Sequence, residues 1–166
     1  IDDHVFMVDR IDLGILRILF KNAKESLKNI GLKVGIFSPS AISRRIKALE
    51  NEGIIKKYTI DVDLNKIGYN FITITFVKAK FSPEYYENVV NELKKIKNII
   101  SIYFILGDID FVLVTANKSK EDYELVLREL TKIVDIERTD SRTVLKIYKE
   151  NDVESLLKGL EEELSY

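Results

Sequence analysis

A chain of 166 residues, 46% of them hydrophobic and none a cysteine, can build one or two compact cores without disulfides, and it excludes thiolate zinc sites and cysteine nucleophiles. A formal net charge of -1 excludes a generally basic nucleic-acid coat, so any binding to DNA must come from local charge placement. The apolar runs fall far short of the roughly 20 residues a membrane helix needs and no signal peptide is read, which makes the cytoplasm the expected compartment.

Residues 10–20 carry Ile11, Ile15, Ile18 and Leu19 at helical spacing, with Asp9 or Asp12 at the amino end, and so predict a first helix. Ser26 precedes a second stripe, Leu27, Ile30 and Val34, that stops at Gly35, as a short helix with a glycine end does. The stretch SPSAISRRIKALENEG, residues 38–53, reads as a third helix with its punctuation attached. Ser38 suits the N-cap, Pro39 the first helical position where its missing N–H costs nothing, and Gly53 the left-handed residue that closes the helix. Residues 54–62, with Tyr58, Thr59, Ile60 and Val62, read as a strand or small hairpin, a wing beside the helices.

After Gly68 the pattern changes in kind. Residues 71–80 are β-rich, and Pro83 opens a helix carrying Tyr86, Val89, Val90, Leu93 and Ile96. Residues 99–106 and 111–116 are strands separated by a loop of hairpin length. Tyr123, Val126, Leu127 and Leu130 mark another helix and residues 143–148 a fourth strand. The order is βαββαβ, that of a ferredoxin-like unit in which an antiparallel sheet carries two helices on one face. Apolar residues at both parities in residues 71–77 and 99–106 predict that the uncovered sheet face packs on another subunit, giving a dimer at least. Val153, Leu156, Leu157, Leu160 and Leu164 predict a carboxyl-terminal helix that docks. The expected fold class is thus α+β: a winged helix-turn-helix domain over residues 1–63, a linker over 64–70, a ferredoxin-like domain over 71–150 and a helical tail over 151–166.

In the third helix, Ile42, Ile46 and Leu49 cluster on one side while Ser40, Arg44, Lys47 and Asn51 cluster opposite. Residues 40–57 hold five cations (Arg44, Arg45, Lys47, Lys56, Lys57) against Glu50 and Glu52, a local surplus of three. Lys21, Lys24, Lys28 and Lys33 add a second basic group. A helix exposing Ser, Arg, Lys and Asn is what major-groove reading requires, since Arg and Lys suit guanine and Asn suits adenine. The bland alternative is a solvated helix face.

The segments VDRIDLGILRIL, SRRIKALENEGIIKKYTIDVDLNKIGY and YFILGDIDFVLV, in that order, resemble the leucine-responsive regulator (Lrp/AsnC) family, its archaeal members in particular, over residues 8–150. In that family an amino-terminal helix-turn-helix domain binds DNA and a ferredoxin-like domain mediates assembly and senses amino acids or similar metabolites. The resemblance implies that residues 38–53 hold the recognition helix, with Ser40, Ser43, Arg44 and Lys47 on bases or phosphates and Arg45 and Asn51 on the DNA backbone. The turn GIFSPS is one residue longer than the usual family turn, Phe37 being the extra one. Residues 1–7 precede the usual family start and read as an extension or an expression remnant.

Gly107, Asp108, Ile109 and Asp110 sit between two apolar strands, where Gly and Asp are ordinary hairpin residues. A carboxylate pair for metal or acid–base work is an alternative, but two Asp residues are too few ligands and the single histidine, His4, lies far off in the sequence. The resemblance implies instead that this loop lines an effector pocket at a contact between dimers, with Thr139 and Ser141 of RTDSRT (residues 138–143) and Tyr103 contributing. The expected function is transcriptional regulation without catalysis and without a cofactor. Its partners are double-stranded DNA on pseudo-palindromic sites, the chain itself as a homodimer, tetramer or octamer, and an amino acid or related small metabolite as effector. The alternative is a winged-helix protein-interaction module that uses the same basic face on an acidic partner.

Overall fold

The computed structural model describes residues 6–80 and 84–165; the reading of Pro83 as a helix opener and the placement of residues 1–5 lie outside them. Helix α1 (Arg10–Lys21) starts at a reciprocal cap in which Asp9 accepts the Asp12 N–H at 2.8 Å and Asp12 accepts that of Asp9 at 3.1 Å, so two orphan donors of the first turn are satisfied. Ser26 caps α2 (Leu27–Val34), which closes on Gly35 at φ +81°. Ser38 caps α3 (Pro39–Asn51) and Pro39 begins it. Ile15, Ile30, Ile42 and Leu49, fully buried, join the three helices. Each such side chain contributes about 1.5 to 3 kcal/mol by leaving water.

The chain up to Asp61 forms one unit with Lys149 onward, and Val62–Tyr148 form the other. Helix α6 (Glu154–Glu163) docks, as expected of its apolar stripe, and the unit it joins is the helix-turn-helix. The reason is on α1, where Arg17 meets Glu161 at 2.9 Å and Lys21 meets Glu154 at 2.7 Å. The strand or small hairpin expected over residues 54–62 is corrected: these residues pair with no strand and expose Ile60 and Val62. Their β-propensity is local, and without a partner ladder it makes no strand. The expected linker contains a short 3-10 turn, Asn65–Ile67, ended by Gly68 at φ +92°.

In the second unit β1 (Phe71–Ala79), β2 (Ile99–Phe104), β3 (Phe111–Asn117) and β4 (Ile136–Thr143) form an antiparallel sheet in the order β2-β3-β1-β4, with α4 (Tyr85–Leu93) and α5 (Lys120–Thr131) interleaved in the chain. Odd-numbered β1 residues Val77 and Ala79 pack with Val89, Leu93, Tyr123, Val126 and Leu130 of the two helices. The even-numbered Ile72, Ile74 and Phe76, beside Val112 and Val114 of β3, make the half-buried opposite face.

The fourth strand is also a correction. It runs over residues 136–143 instead of 143–148, and Leu145 and Tyr148 are 96% and 87% exposed. Pairing with β1 decides it: Thr75 lies opposite Ser141 and Val77 opposite Thr139. Among the described residues no helix is long and apolar enough to cross a membrane.

Candidate nucleic-acid interface and effector loop

The polar stripe read from the sequence of α3 is present as exposed side chains. Ser40, Arg44, Lys47 and Asn51 of α3 all face solvent, while Ile42 and Leu49 are fully buried and Ile46 packs with them. Four polar residues at spacings of four, three and four form one stripe along a helix. Ser43, at its margin, is half-buried.

Arg45 departs from its expected place. Its Nη1 donates to Asp9 Oδ2 at 2.7 Å and to Asp12 Oδ1 at 2.9 Å, so the guanidinium clamps α3 to the capped start of α1. Burial pushes the Asp9 carboxyl up, but the Asp12 N–H and the Arg45 guanidinium outweigh it and leave the group below its ordinary value of 3.8. The basic groups thin out in the same way elsewhere, since Lys21 meets Glu154 and Lys33 meets Glu25. Sequence counting could not separate Arg44 from Arg45; the partners of Arg45 lie 36 and 33 residues away.

Glu50, also on α3, accepts a hydrogen bond from Tyr58 Oη at 2.6 Å, which ties the extended segment to the helix. Burial, and then the Glu50 carboxylate, push the Tyr58 phenol up from 10.0 to about 12. A raised pKa means the contribution to stability is whole below the ordinary phenol value and disappears as pH climbs through the folded one. The ultraviolet absorbance titration of wild type minus Tyr58→Phe is therefore expected to show a phenol with its midpoint near 12; a midpoint at the ordinary value would remove the Glu50 contact.

In the second unit the expected effector residues lie at one end of the sheet, but not in one pocket. Gly107 takes φ +140°, which a residue with a side chain seldom adopts. Ile105 N–H donates to the Asp110 carbonyl at 2.9 Å and closes the hairpin, and Asp110 N–H donates to the Val77 carbonyl at 2.9 Å. The Asp110 carboxylate accepts the Ala79 N–H at 2.8 Å with Lys78 Nζ at 3.6 Å, so it holds the end of β1 and is engaged within the fold. Asp108 is exposed at the hairpin tip. Thr139, opposite Val77, stands at the same end of the sheet.

Ser141 turns to the helix side, where its hydroxyl shares hydrogen bonds with Tyr123 Oη and, at 3.1 Å, with Thr75 Oγ1. Tyr103 aligns with Val112 and so lies on the opposite face. A concavity of about 910 Å³ between α4 and α5, lined by Asn88, Asn91, Leu125 and Val134 among others, includes none of the six. Sequence reasoning missed the hydroxyl network behind Ser141 and a second, separate pair in which Thr73 and Thr115 share a hydrogen bond at 2.5 Å. Threonines at alternate positions of a strand whose neighbouring positions are apolar were its signal.

Two family models match the chain: "Winged helix-turn-helix DNA-binding" over residues 8–56 and "Lrp/AsnC ligand binding domain" over residues 71–154. The HTH-type transcriptional regulator FL11 of Pyrococcus furiosus is 34% identical over 144 residues, 87% of this chain and 93% of that protein. The structure of Escherichia coli AsnC superposes with a TM-score of 0.82 at 21% identity, covering 90% of this chain and 99% of that one. A transcriptional regulator of Neisseria meningitidis, solved as a complex with L-methionine, superposes at 0.82 with 22% identity over 88% of this chain and 95% of its own. At these identities the two structures establish the shared fold.

Proposed function

Because the chain belongs to the Lrp/AsnC family of transcriptional regulators, we propose that paired copies of α3 read pseudo-palindromic promoter sites in the cytoplasm and that a small effector, an amino acid, tunes the pairing. The observation that carries the proposal is the exposed stripe Ser40, Arg44, Lys47 and Asn51 on a helix whose opposite face carries the fully buried Ile42 and Leu49. Arg44 and Lys47 are its cations, Ser43 is a marginal contact, and Arg45 serves by fixing α3 on α1. Two cations per copy bind one site weakly, so useful affinity needs at least two copies on one duplex.

The open face of the sheet, with Ile72, Ile74, Phe76, Val112 and Val114, is the surface we assign to the dimer, since an apolar sheet face of this extent is stable only when covered. The dimer becomes the unit of a tetramer or octamer only through other surfaces, and the loop at residues 107–110 is the one we assign. Asp108 at its tip is the group offered to an effector's ammonium, with Gly107 and Thr139 beside it, and Tyr103 and Ser141 as supports. Within one chain these residues do not converge, which supports a site completed by a second copy. An effector bound there would favour one assembly over another and so change the spacing of the DNA-binding units. The reading assigns no catalytic step to the chain.

The test uses a duplex selected by the protein from a random library, with binding measured against salt. Wild type should show a steep slope, and Arg44→Ala with Lys47→Ala should flatten it by about 3 to 4 logarithmic units per log salt, the loss of four phosphate contacts in a dimer. A shallow slope unmoved by the substitutions would favour a protein-interaction module. In parallel, one amino acid, methionine being the first probe in view of the Neisseria complex, should raise the melting temperature of the second unit by at least roughly 10 °C at a hundredfold excess over its dissociation constant and shift the size seen by light scattering. If no amino acid does either, the effector half is wrong.

A further inference from the structure

We infer that Phe37 is a specificity residue that packs on the C5-methyl of a thymine beside α3, an inference that rests on α3 reading DNA. Phe37 is 80% exposed, yet the backbone on both sides of it is pinned. Before it, Ile36 packs into the helical core and donates its N–H to the Gly31 carbonyl at 2.9 Å. After it, Ser38 caps α3 and its Oγ lies 2.9 Å from that of Ser40. The ring is thus held in water by a fixed turn, immediately ahead of the helix end whose first residues meet base edges in a helix-turn-helix complex.

A large apolar ring in that place has few partners. Ser38, Pro39 and Ser40 beside it are exposed and two of them are polar, and most of what DNA presents at the major groove is charged or hydrogen-bonding. The thymine methyl is the apolar group on the base edges there, and phenylalanine is among the side chains that suit it. Ser40, Arg44, Lys47 and Asn51 supply polar contacts; Phe37 adds discrimination for a base they do not single out.

The test compares wild type, Phe37→Ala and Arg44→Ala on the library-selected duplex, replacing each thymine in turn by deoxyuridine, which lacks only the methyl group. At one thymine per half-site, wild type should lose about fourfold in affinity, the worth of one buried methyl, while Phe37→Ala binds both duplexes alike. Phe37→Leu should keep part of the preference. If wild type is indifferent to deoxyuridine at every thymine, or if Phe37→Ala retains the full penalty, the inference is overturned. Arg44→Ala should weaken both duplexes equally; if it weakens neither, the DNA reading of α3 falls and this inference with it. Unchanged melting of Phe37→Ala, whose ring is outside the core, establishes that the comparison is made on folded protein.

Discussion

Arg45→Ala is expected to lower the melting temperature of the amino-terminal unit by roughly 10 °C, whereas Arg44→Ala, one residue earlier, leaves it unchanged and weakens DNA binding. Arg45 meets two carboxylates, and the one on Asp12 is only 5% exposed. Deleting the guanidinium leaves Asp12 buried with the Asp9 N–H, at 3.1 Å, as a donor to its carboxylate. Losing one partner of a fully buried pair costs about 3 to 5 kcal/mol; with a guanidinium one-third exposed, about 2 kcal/mol is expected, which gives that shift for a unit of this size. Arg45→Lys should fall between the two, because its ammonium keeps the charge but is more strongly hydrated and sits on a shorter side chain than the Nη1 that bridges both carboxylates.

The same contact sets an acid limb. Asp9 sits below its ordinary 3.8 when folded, so its contribution is whole above the ordinary carboxylate value and is lost as pH falls through the depressed one. Arg45→Ala should flatten that limb. Circular dichroism melts at neutral and acid pH measure both effects, and equal melting temperatures for the two alanine variants would contradict the clamp.

What the sequence revealed and what it concealed divide along the range of the interactions. The caps at Ser26, Ser38 and Gly35 and the buried stripe of α3 depend on residues three or four apart, and the order βαββαβ follows from periodicity. The fourth strand does not. TVLKIY has the better local β pattern, but TDSRT and the residues before it have a partner, with Thr75 against Ser141, 66 residues distant. Residues 54–62 show the converse, strand-forming residues with no ladder to join. The site was legible in the same measure: the spacing of Ser40, Arg44, Lys47 and Asn51 named a face, but adjacency in the chain gave Arg45 the same standing as Arg44, and the engagement of the Asp110 carboxylate at β1 had no local sign.

Gly31→Ala is expected to destabilise the protein by about 3 kcal/mol, against the direction of helix propensity. Alanine inside a helix is favoured over glycine by about 1 kcal/mol, and Gly31 lies within α2. A Cβ on Gly31, however, would stand 2.2 Å from the Ile36 carbonyl oxygen and 3.5 Å from Ile42 Cγ1. The first is backbone, and it cannot retreat freely, because Ile36 N–H is bonded back to the Gly31 carbonyl. Relief requires the turn to lift, which moves Ile36 out of the core and carries Phe37 and the start of α3 with it. Overpacking of this kind costs about 1 to 3 kcal/mol, more when backbone must shift. Gly159→Ala in α6, where the added carbon meets nothing within 4 Å, is the matched control and should stabilise by about 0.5 to 1 kcal/mol. Urea unfolding of both variants, with DNA binding of the folded fraction, separates the outcomes. If Gly31→Ala stabilises like Gly159→Ala, the turn is not seated on α2, and neither the fixed exposure of Phe37 nor the angle of α3 can be owed to it.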